Sequence, residues 1–174
     1  MTEMKYHILS ALFSTALFCA DSATTKKPVF GCKTGEVKAF ERILDSIRHL
    51  TSYYDKNGQK YDVVLIAQSE CVKFMLDNTD GTEYAKEEIP MDVELKLEKL
   101  KGKVRYEQCA VTLDRKGIPV SKIRKNVVVI PSATVSTVDY QLAGYALYRD
   151  WETDRKSTRL NSSHRSLSRM PSSA

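Results

Sequence analysis

The chain has 174 residues, of which 42% are hydrophobic and 28% are charged, and its formal net charge is +5. That length fits one ordinary globular domain. Residues 149–174 carry six of the 27 basic and three of the 22 acidic side chains, so the rest of the chain has a net charge of only +2. The basic balance therefore gives no case for binding to nucleic acid.

The first twenty residues have the order of a secretory signal peptide. Lys5 precedes an uncharged, mostly apolar run that ends at Ala20, and a polar stretch begins at Asp21. This run of about fifteen residues is short for a membrane-spanning helix. A buried amino-terminal helix is the alternative, because the residues around the expected cleavage site do not match the usual pattern of small side chains. We expect a signal peptide over residues 1–20 and export to the periplasm or the medium, with no membrane attachment after its removal.

The first half of the mature domain, residues 21–148, alternates strand and helix signals. The apolar run Lys27–Cys32 predicts a strand, and Thr34 is a candidate cap for the helix that follows it. Tyr61–Ala67 is an almost continuous aliphatic run, which is typical of a strand buried on both faces of a parallel sheet. Glu70–Leu76 predicts a short helix before a polar loop.

The second half continues the alternation. Pro90 begins a helix that Gly102 stops, because proline suits the first helical position and glycine the residue beyond the end. We expect one α/β domain with a mostly parallel sheet and helices on both faces. The remaining predicted elements are a strand at Val104–Cys109, helical turns at Ala110–Lys116 and Val120–Asn126, a second buried strand at Val127–Ile130, a helix at Ala133–Ala143 and a final strand at Tyr145–Tyr148.

The last 26 residues, 149–174, are polar, basic and serine-rich, a composition that cannot bury enough apolar surface to become ordered. One interpretation is a disordered tail that binds an anionic surface. A second fits better: Asp154–His164 and Ser168–Ala174 resemble the translation of two constant blocks of a common short-read sequencing adapter, with its variable index at 165–167. We therefore expect residues 149–174 to be adapter-derived and no part of the domain.

Three cysteines of the domain fall at the carboxyl ends of predicted strands, where ligands and catalytic groups gather in a parallel sheet. Cys32 ends the first strand, Cys71 follows the second and Cys109 ends the third. Cys32 and Cys71 are either small buried hydrophobes or reactive groups, and a structural disulfide between two of the three cysteines is a further alternative. Cys109 is the candidate nucleophile, because backbone N–H groups at a helix start favour the thiolate.

Other familiar chemistries lack their sequence motifs. The chain holds no C-x-x-C and no H-E-x-x-H for a metal, no G-x-G-x-x-G and no G-K-[ST] for a nucleotide, and no G-x-S-x-G for a serine hydrolase. We therefore expect neither a metal nor a cofactor. His49 is interpreted as an ordinary helix residue.

Several segments together resemble the DsrE/DsrF-like family of sulfur-relay proteins. Tyr106–Ile118 is similar to the cysteine segment of that family, and Val127–Val135 with Asp139–Leu147 is similar to its closing strand, helix and strand. The opening, with Thr34–Val37, is similar to that of exported members. The resemblance spans residues 28–148.

The resemblance implies a flavodoxin-like three-layer α/β fold, assembled into trimers or hexamers. It also implies that Cys109 carries sulfur as a persulfide and passes it on, with a protein or a small sulfur compound as donor and acceptor. Cys32 and Cys71 match no motif position, and Arg115 or Lys116 are candidates to assist an anionic donor. The competing hypothesis is a non-catalytic oligomeric binding module in which the cysteines are only packed, so whether the protein is an enzyme stays open on sequence grounds.

Overall fold

The structure is a computed structural model in which residues 24–148 are described. The predicted signal peptide and the predicted adapter-derived tail lie outside the described residues. Among the helices of the described part, none is long and apolar enough to cross a membrane.

The described residues form one five-stranded sheet in which all neighbouring strands are parallel. The strands are β1 Pro28–Cys32, β2 Val63–Ala67, β3 Val104–Cys109, β4 Val127–Ile130 and β5 Ala146–Tyr148. Their order in the sheet is β4-β3-β2-β1-β5, so the chain builds the sheet outward from β1 and then returns across it to add β5. This arrangement confirms the expected α/β, flavodoxin-like fold.

The helices cover both faces of the sheet, because connections between parallel strands are right-handed. The connections that lead from β1 to β4 each add the next strand on the same side of the previous one, so their helices lie on one face of the sheet. The connection from β4 to β5 runs back across the sheet in the opposite direction, so its helix lies on the other face. The α-helices are α1 Val37–Lys56, α2 Met91–Lys99, α3 Ala110–Lys116 and α4 Ala133–Leu142, with 3-10 helices at Ser69–Met75 and Val120–Lys122.

Apolar side chains form one core cluster on each face of the sheet. The larger cluster lies under α1 and α2, where the rings of Phe40 and Phe74 stack with centroids 4.1 Å apart. The smaller cluster lies under α4 and contains Val64, Ile66 and Cys109. Strand β2 serves both clusters and all five of its residues are buried, which confirms the prediction of a strand covered on both faces.

Strand β4 was predicted to be buried, and this is wrong. It is an edge strand that pairs only with β3 in the described sheet, and Val128 is 52% exposed. An aliphatic run indicates that a strand packs against apolar groups, but it does not tell whether those groups belong to the same chain. The face that carries Val128 is therefore left open beside α4.

Two helix predictions also need correction. Helix α1 begins at Val37 after the cap residue Glu36, and the Thr34 hydroxyl instead accepts the N–H of Glu36 at 3.0 Å in a short turn before the helix. The predicted helix Val120–Asn126 shrinks to the 3-10 turn Val120–Lys122. The chain becomes extended after this turn, because Ile123 forms an antiparallel bridge with Leu76.

Candidate functional site

Cys109 is the last residue of β3 and lies immediately before α3, as the sequence predicts. It is a free thiol, 4% exposed, in the smaller core cluster. Its sulfur accepts a hydrogen bond from the backbone N–H of Ala133 at 3.3 Å. Ala133 is the first residue of α4, so this N–H comes from the helix after β4 and not from the helix after Cys109.

Cys32 and Cys71 form a disulfide, with their Cα atoms 5.8 Å apart. Both belong to the larger core cluster, whereas Cys109 belongs to the smaller one, so the sheet separates the disulfide from the free thiol. The disulfide ties the 3-10 helix Ser69–Met75 to the end of β1. Of the alternatives for these two cysteines, the structure selects the structural disulfide.

Alternation along β3 places Arg105 and Glu107 on the same face as Cys109. Glu107 is a buried carboxylate, 3% exposed. Its Oε1 accepts a hydrogen bond from Arg105 Nε at 3.2 Å and a second, short one from the hydroxyl of Tyr140 on α4. We call Glu107, Arg105 and Tyr140, with Tyr145 and Asp62, the polar network.

The rest of the polar network surrounds the Arg105 guanidinium. Arg105 Nη2 donates to the hydroxyls of Tyr140 at 3.3 Å and Tyr145 at 3.4 Å, and it lies 3.6 Å from Asp62 Oδ2. The Tyr145 hydroxyl donates to the same Asp62 oxygen. Burial opposes the charge of Arg105, but the bonds to Tyr145 and Tyr140 and the attraction of Asp62 outweigh it, so the pKa of Arg105 is raised.

Tyr140 titrates well above the ordinary tyrosine range. Burial raises its pKa to about 12, and the hydrogen bond to Glu107 acts in the same direction. The phenol therefore remains a donor at neutral pH. Helix α4 thus donates two hydrogen bonds to side chains on β3. The N–H of its first residue donates to the sulfur of Cys109, and the phenol seven residues later donates to the carboxylate of Glu107.

Two buried side-chain oxygens in the described residues have no hydrogen-bond partner: Glu107 Oε2 and Gln108 Oε1. The Gln108 amide lies on the opposite face of β3 from Glu107, and its Nε2 donates to the carbonyl oxygen of Cys109 at 3.1 Å. An unsatisfied neutral amide oxygen is a modest cost, whereas an unsatisfied carboxylate oxygen is unusual in a protein interior.

The structure gives no support to a role for Lys116 in assisting an anionic sulfur donor. Its ammonium lies 2.7 Å from Glu70 Oε1 and also contacts Glu83, and Glu70 in turn accepts the Tyr84 hydroxyl. Burial works against the charge of Lys116, but its bonds to Glu70 and Glu83 raise its pKa. Lys116 on α3 therefore forms ion pairs with the 3-10 helix Ser69–Met75 through Glu70 and with the loop before α2 through Glu83. Arg115 is exposed on α3 and stays an untested candidate.

A cavity of about 510 Å³ lies on the other face of the sheet, between α2 and β4. Tyr106 and Leu97 line it, together with Arg124, which binds the carboxylate of Glu94 with both terminal nitrogens. It belongs to the side of the larger cluster and is separate from Cys109. Within residues 24–148, no group of three or more His, Cys, Asp or Glu side chains is arranged to hold a metal ion.

Sequence reasoning found Cys109 and missed its polar neighbours. The available signal was the alternation Arg105-x-Glu107-x-Cys109 in β3, which places two charged residues on the cysteine's face of the strand. The partners on α4 had no such signal. Tyr140 is 33 positions beyond Glu107, and only the return of the chain across the sheet brings them together.

Comparison with solved structures supports the fold. The protein of unknown function MTH1491 from Methanobacterium thermoautotrophicum aligns over 71% of this chain and 98% of its own, with a TM-score of 0.57 and 20% identity. The YchN protein from E. coli aligns over 71% of this chain and 100% of its own, with a TM-score of 0.49 and 18% identity. At such identity the first likeness shows a shared fold. No family model matches the chain, and neither does any curated protein.

The fold and the site together define a class of protein. It is a parallel α/β protein with a disulfide on one face of the sheet and a free thiol on the other, at the carboxyl end of β3. The free thiol meets a helix amino terminus and lies two positions from a buried carboxylate.

Proposed function

We propose that this protein is a sulfur carrier in which Cys109 takes a sulfane sulfur atom from a donor and passes it to an acceptor thiol. The observation that carries the proposal is the hydrogen bond from the first N–H of α4 to the Cys109 sulfur. A helix amino terminus stabilises negative charge, and both the thiolate and the persulfide anion are negative. The resemblance of residues 28–148 to the DsrE/DsrF-like family points to the same chemistry.

Sulfur transfer needs only nucleophilic substitution at sulfur. The Cys109 thiolate attacks the outer sulfur of a donor such as thiosulfate, a new S–S bond forms, and sulfite leaves with the electron pair of the broken bond. An acceptor thiolate then attacks the outer sulfur of the persulfide and Cys109 leaves as a thiolate. The low exposure of Cys109 protects the persulfide from stray thiols.

Two further observations support the expected setting. A buried disulfide forms and persists in oxidising compartments, which is consistent with export to the periplasm or the medium.

Helix α4 also presents Val135, Val138 and Leu142 to solvent on one side, at spacings of three and four residues. Such an apolar stripe is suited to association with further copies of the chain, as in a trimer or hexamer.

The competing function is a non-catalytic binding module, and the burial of Cys109 favours it. A thiol that is 4% exposed is also what a packed core cysteine shows. The two functions differ in one property, since a packed cysteine is inert towards sulfur donors whereas a carrier cysteine reacts.

Sulfur loading tests the proposal. The purified protein is incubated with thiosulfate or polysulfide and alkylated, and the Cys109 peptide is examined by mass spectrometry. We expect one added sulfur on that peptide and no adduct in Cys109→Ser. A wild-type Cys109 peptide without added sulfur would contradict the carrier function and leave the binding module.

A further inference from the structure

Glu107 has one oxygen that is fully used and one that is free. Oε1 accepts hydrogen bonds from Arg105 and Tyr140, whereas Oε2 is buried and has no partner in the part of the chain that the structure describes. An unpaired carboxylate oxygen in the interior costs free energy, and a catalytic role is one of the reasons for which a protein keeps such a group. Oε2 is therefore available to bind a proton.

Cys109 lies two residues further along the same face of β3. Positions two residues apart in a strand lie about 6.6 Å from each other, so the two side chains are neighbours on that face. Both side chains lie under α4, which contacts the sulfur through Ala133 and the carboxylate through Tyr140. Because Arg105 and Tyr140 hold Oε1 in place, proton transfer between Oε2 and the sulfur requires one bridging water.

A buried thiol needs a local proton acceptor before it can attack. No proton acceptor is found among the side chains of the other buried members of its cluster, Val29, Val64, Ile66, Ile130 and Ala133. Tyr140 and Tyr145 also pack against this cluster, but their hydroxyls already donate to Glu107 and Asp62. Among the side chains that share its face of β3, Arg105 is a cation and Glu107 is a carboxylate. Glu107 is the side chain on that face with an unpaired acceptor.

We propose that Glu107 is the acid–base partner of Cys109, taking the thiol proton through Oε2 when the sulfur attacks the donor and returning it to the persulfide that forms. This inference rests on the proposed sulfur-carrier function and deepens it.

The loading step balances without a further reactant. The proton moves from Cys109 to Glu107 Oε2, the sulfur lone pair forms a bond to the outer sulfur of thiosulfate, and sulfite leaves with the electron pair of the broken S–S bond. The protonated Glu107 then returns its proton to the persulfide. The net reaction converts a thiol and thiosulfate into a hydropersulfide and sulfite.

The surrounding charges fit this role. Arg105 on β3 and Tyr140 on α4 both hold Oε1, which fixes the carboxylate and leaves Oε2 as the remaining acceptor. Asp62, before β2, and Tyr145, before β5, contact Arg105 and not Glu107. A glutamate outside the polar network offers the matched control: Glu88 is exposed in the loop before α2.

The test compares the full-chain protein with Glu107→Gln and the matched control Glu88→Gln. Each is loaded with thiosulfate and, separately, alkylated with iodoacetamide, and both rates are followed from pH 4 to pH 10. We expect Glu107→Gln to slow both reactions about 100-fold or more at pH 7, with a deficit that shrinks as hydroxide takes over at high pH. Glu88→Gln should follow the wild-type profile.

Two results would overturn the proposal. Glu107→Gln that reacts as fast as the wild type or faster at pH 7 would show that the carboxylate only repels the thiolate. A deficit of equal size at every pH would show that Glu107 is structural.

The wild-type profile tests the inference even where Glu107→Gln does not fold. It must show an acidic inflection from a carboxyl group, and Glu107→Asp, which keeps the carboxyl, must move that inflection. A profile without it contradicts the inference. A wild-type protein that takes up no sulfur, yet alkylates with this inflection, would refute the carrier function and leave the acid–base pair standing.

Discussion

The backbone N–H of Ala133 donates a hydrogen bond to the sulfur of Cys109 across 24 positions of the chain. The two residues meet because β3 and β4 are neighbours in the sheet and Cys109 is in register with Ile130, three residues before Ala133. The bond therefore depends on the pairing of β4 and on the start of α4. The surroundings of the Cys109 sulfur are therefore a property of the assembled sheet and not of its own strand and helix.

Replacing Ala133 with proline tests this bond with little change to the helix. Ala133 is the first residue of α4 and Ser132 before it is extended, which are the conditions that proline requires. Ala133→Pro removes the N–H, and a hydrogen bond to a charged group contributes about 1.5–3 kcal/mol. We expect alkylation of Cys109 at pH 7 to slow roughly 10-fold or more. Ala133→Gly, which keeps the N–H at the same position, should retain the wild-type rate.

The disulfide should stabilise the domain without contributing to sulfur transfer. Cys32→Ala with Cys71→Ala opens a loop between residues 39 positions apart, and we expect the free energy of unfolding to fall by about 2–4 kcal/mol in urea titrations. The same variant should still load sulfur on Cys109, because the sheet separates the two sites. Loss of loading in a folded double variant would show that the disulfide takes part in the reaction.

Tyr140 should contribute stability that disappears at alkaline pH. Its pKa is about 12 in the folded protein and about 10 in the unfolded chain. A raised folded pKa means that the contribution is complete below pH 10 and is lost as the pH rises towards 12. We expect Tyr140→Phe to cost about 1–3 kcal/mol at pH 7, since Glu107 loses a donor. The variant should also show a smaller alkaline loss than the wild type.

A matched control for Tyr140→Phe is Tyr53→Phe, at an exposed tyrosine on α1. This variant should match the wild type in both the free energy of unfolding at neutral pH and its alkaline decline. Equal behaviour of the two variants would mean that the bond from Tyr140 to Glu107 adds nothing to stability.

The apolar stripe of α4 should control oligomeric state. Val138→Glu with Leu142→Glu places two charges where a second copy of the chain is expected to pack, and burial of unpaired charge opposes association. We expect light scattering to give the mass of a trimer or hexamer for the wild type and of a monomer for this variant. Leu95→Glu, at an exposed position of α2, should keep the wild-type mass. A monomeric wild type would refute the proposed assembly.

Local signals predicted the site's own strand and helix well. Val104–Cys109 and Ala110–Lys116 have the expected bounds, because Gly117, at a φ of 60°, supplies the left-handed residue that ends the helix. Long-range relationships had no such signal. The positions of the cysteines in the sequence did not show that Cys32 pairs with Cys71. The aliphatic run of β4 likewise did not show that β4 is an edge strand. The polar network joins residues up to 83 positions apart, so only the sheet order assembles it.

The measurement that tests the central claim most directly is a chase of isotopically labelled sulfur. The wild-type protein is loaded from thiosulfate labelled in its outer sulfur, freed of donor, and mixed with an acceptor thiol. We predict that the label leaves Cys109 and appears on the acceptor in equal amount, whereas Cys109→Ser delivers none. Label that never enters Cys109, or that enters and stays there, would contradict a sulfur carrier.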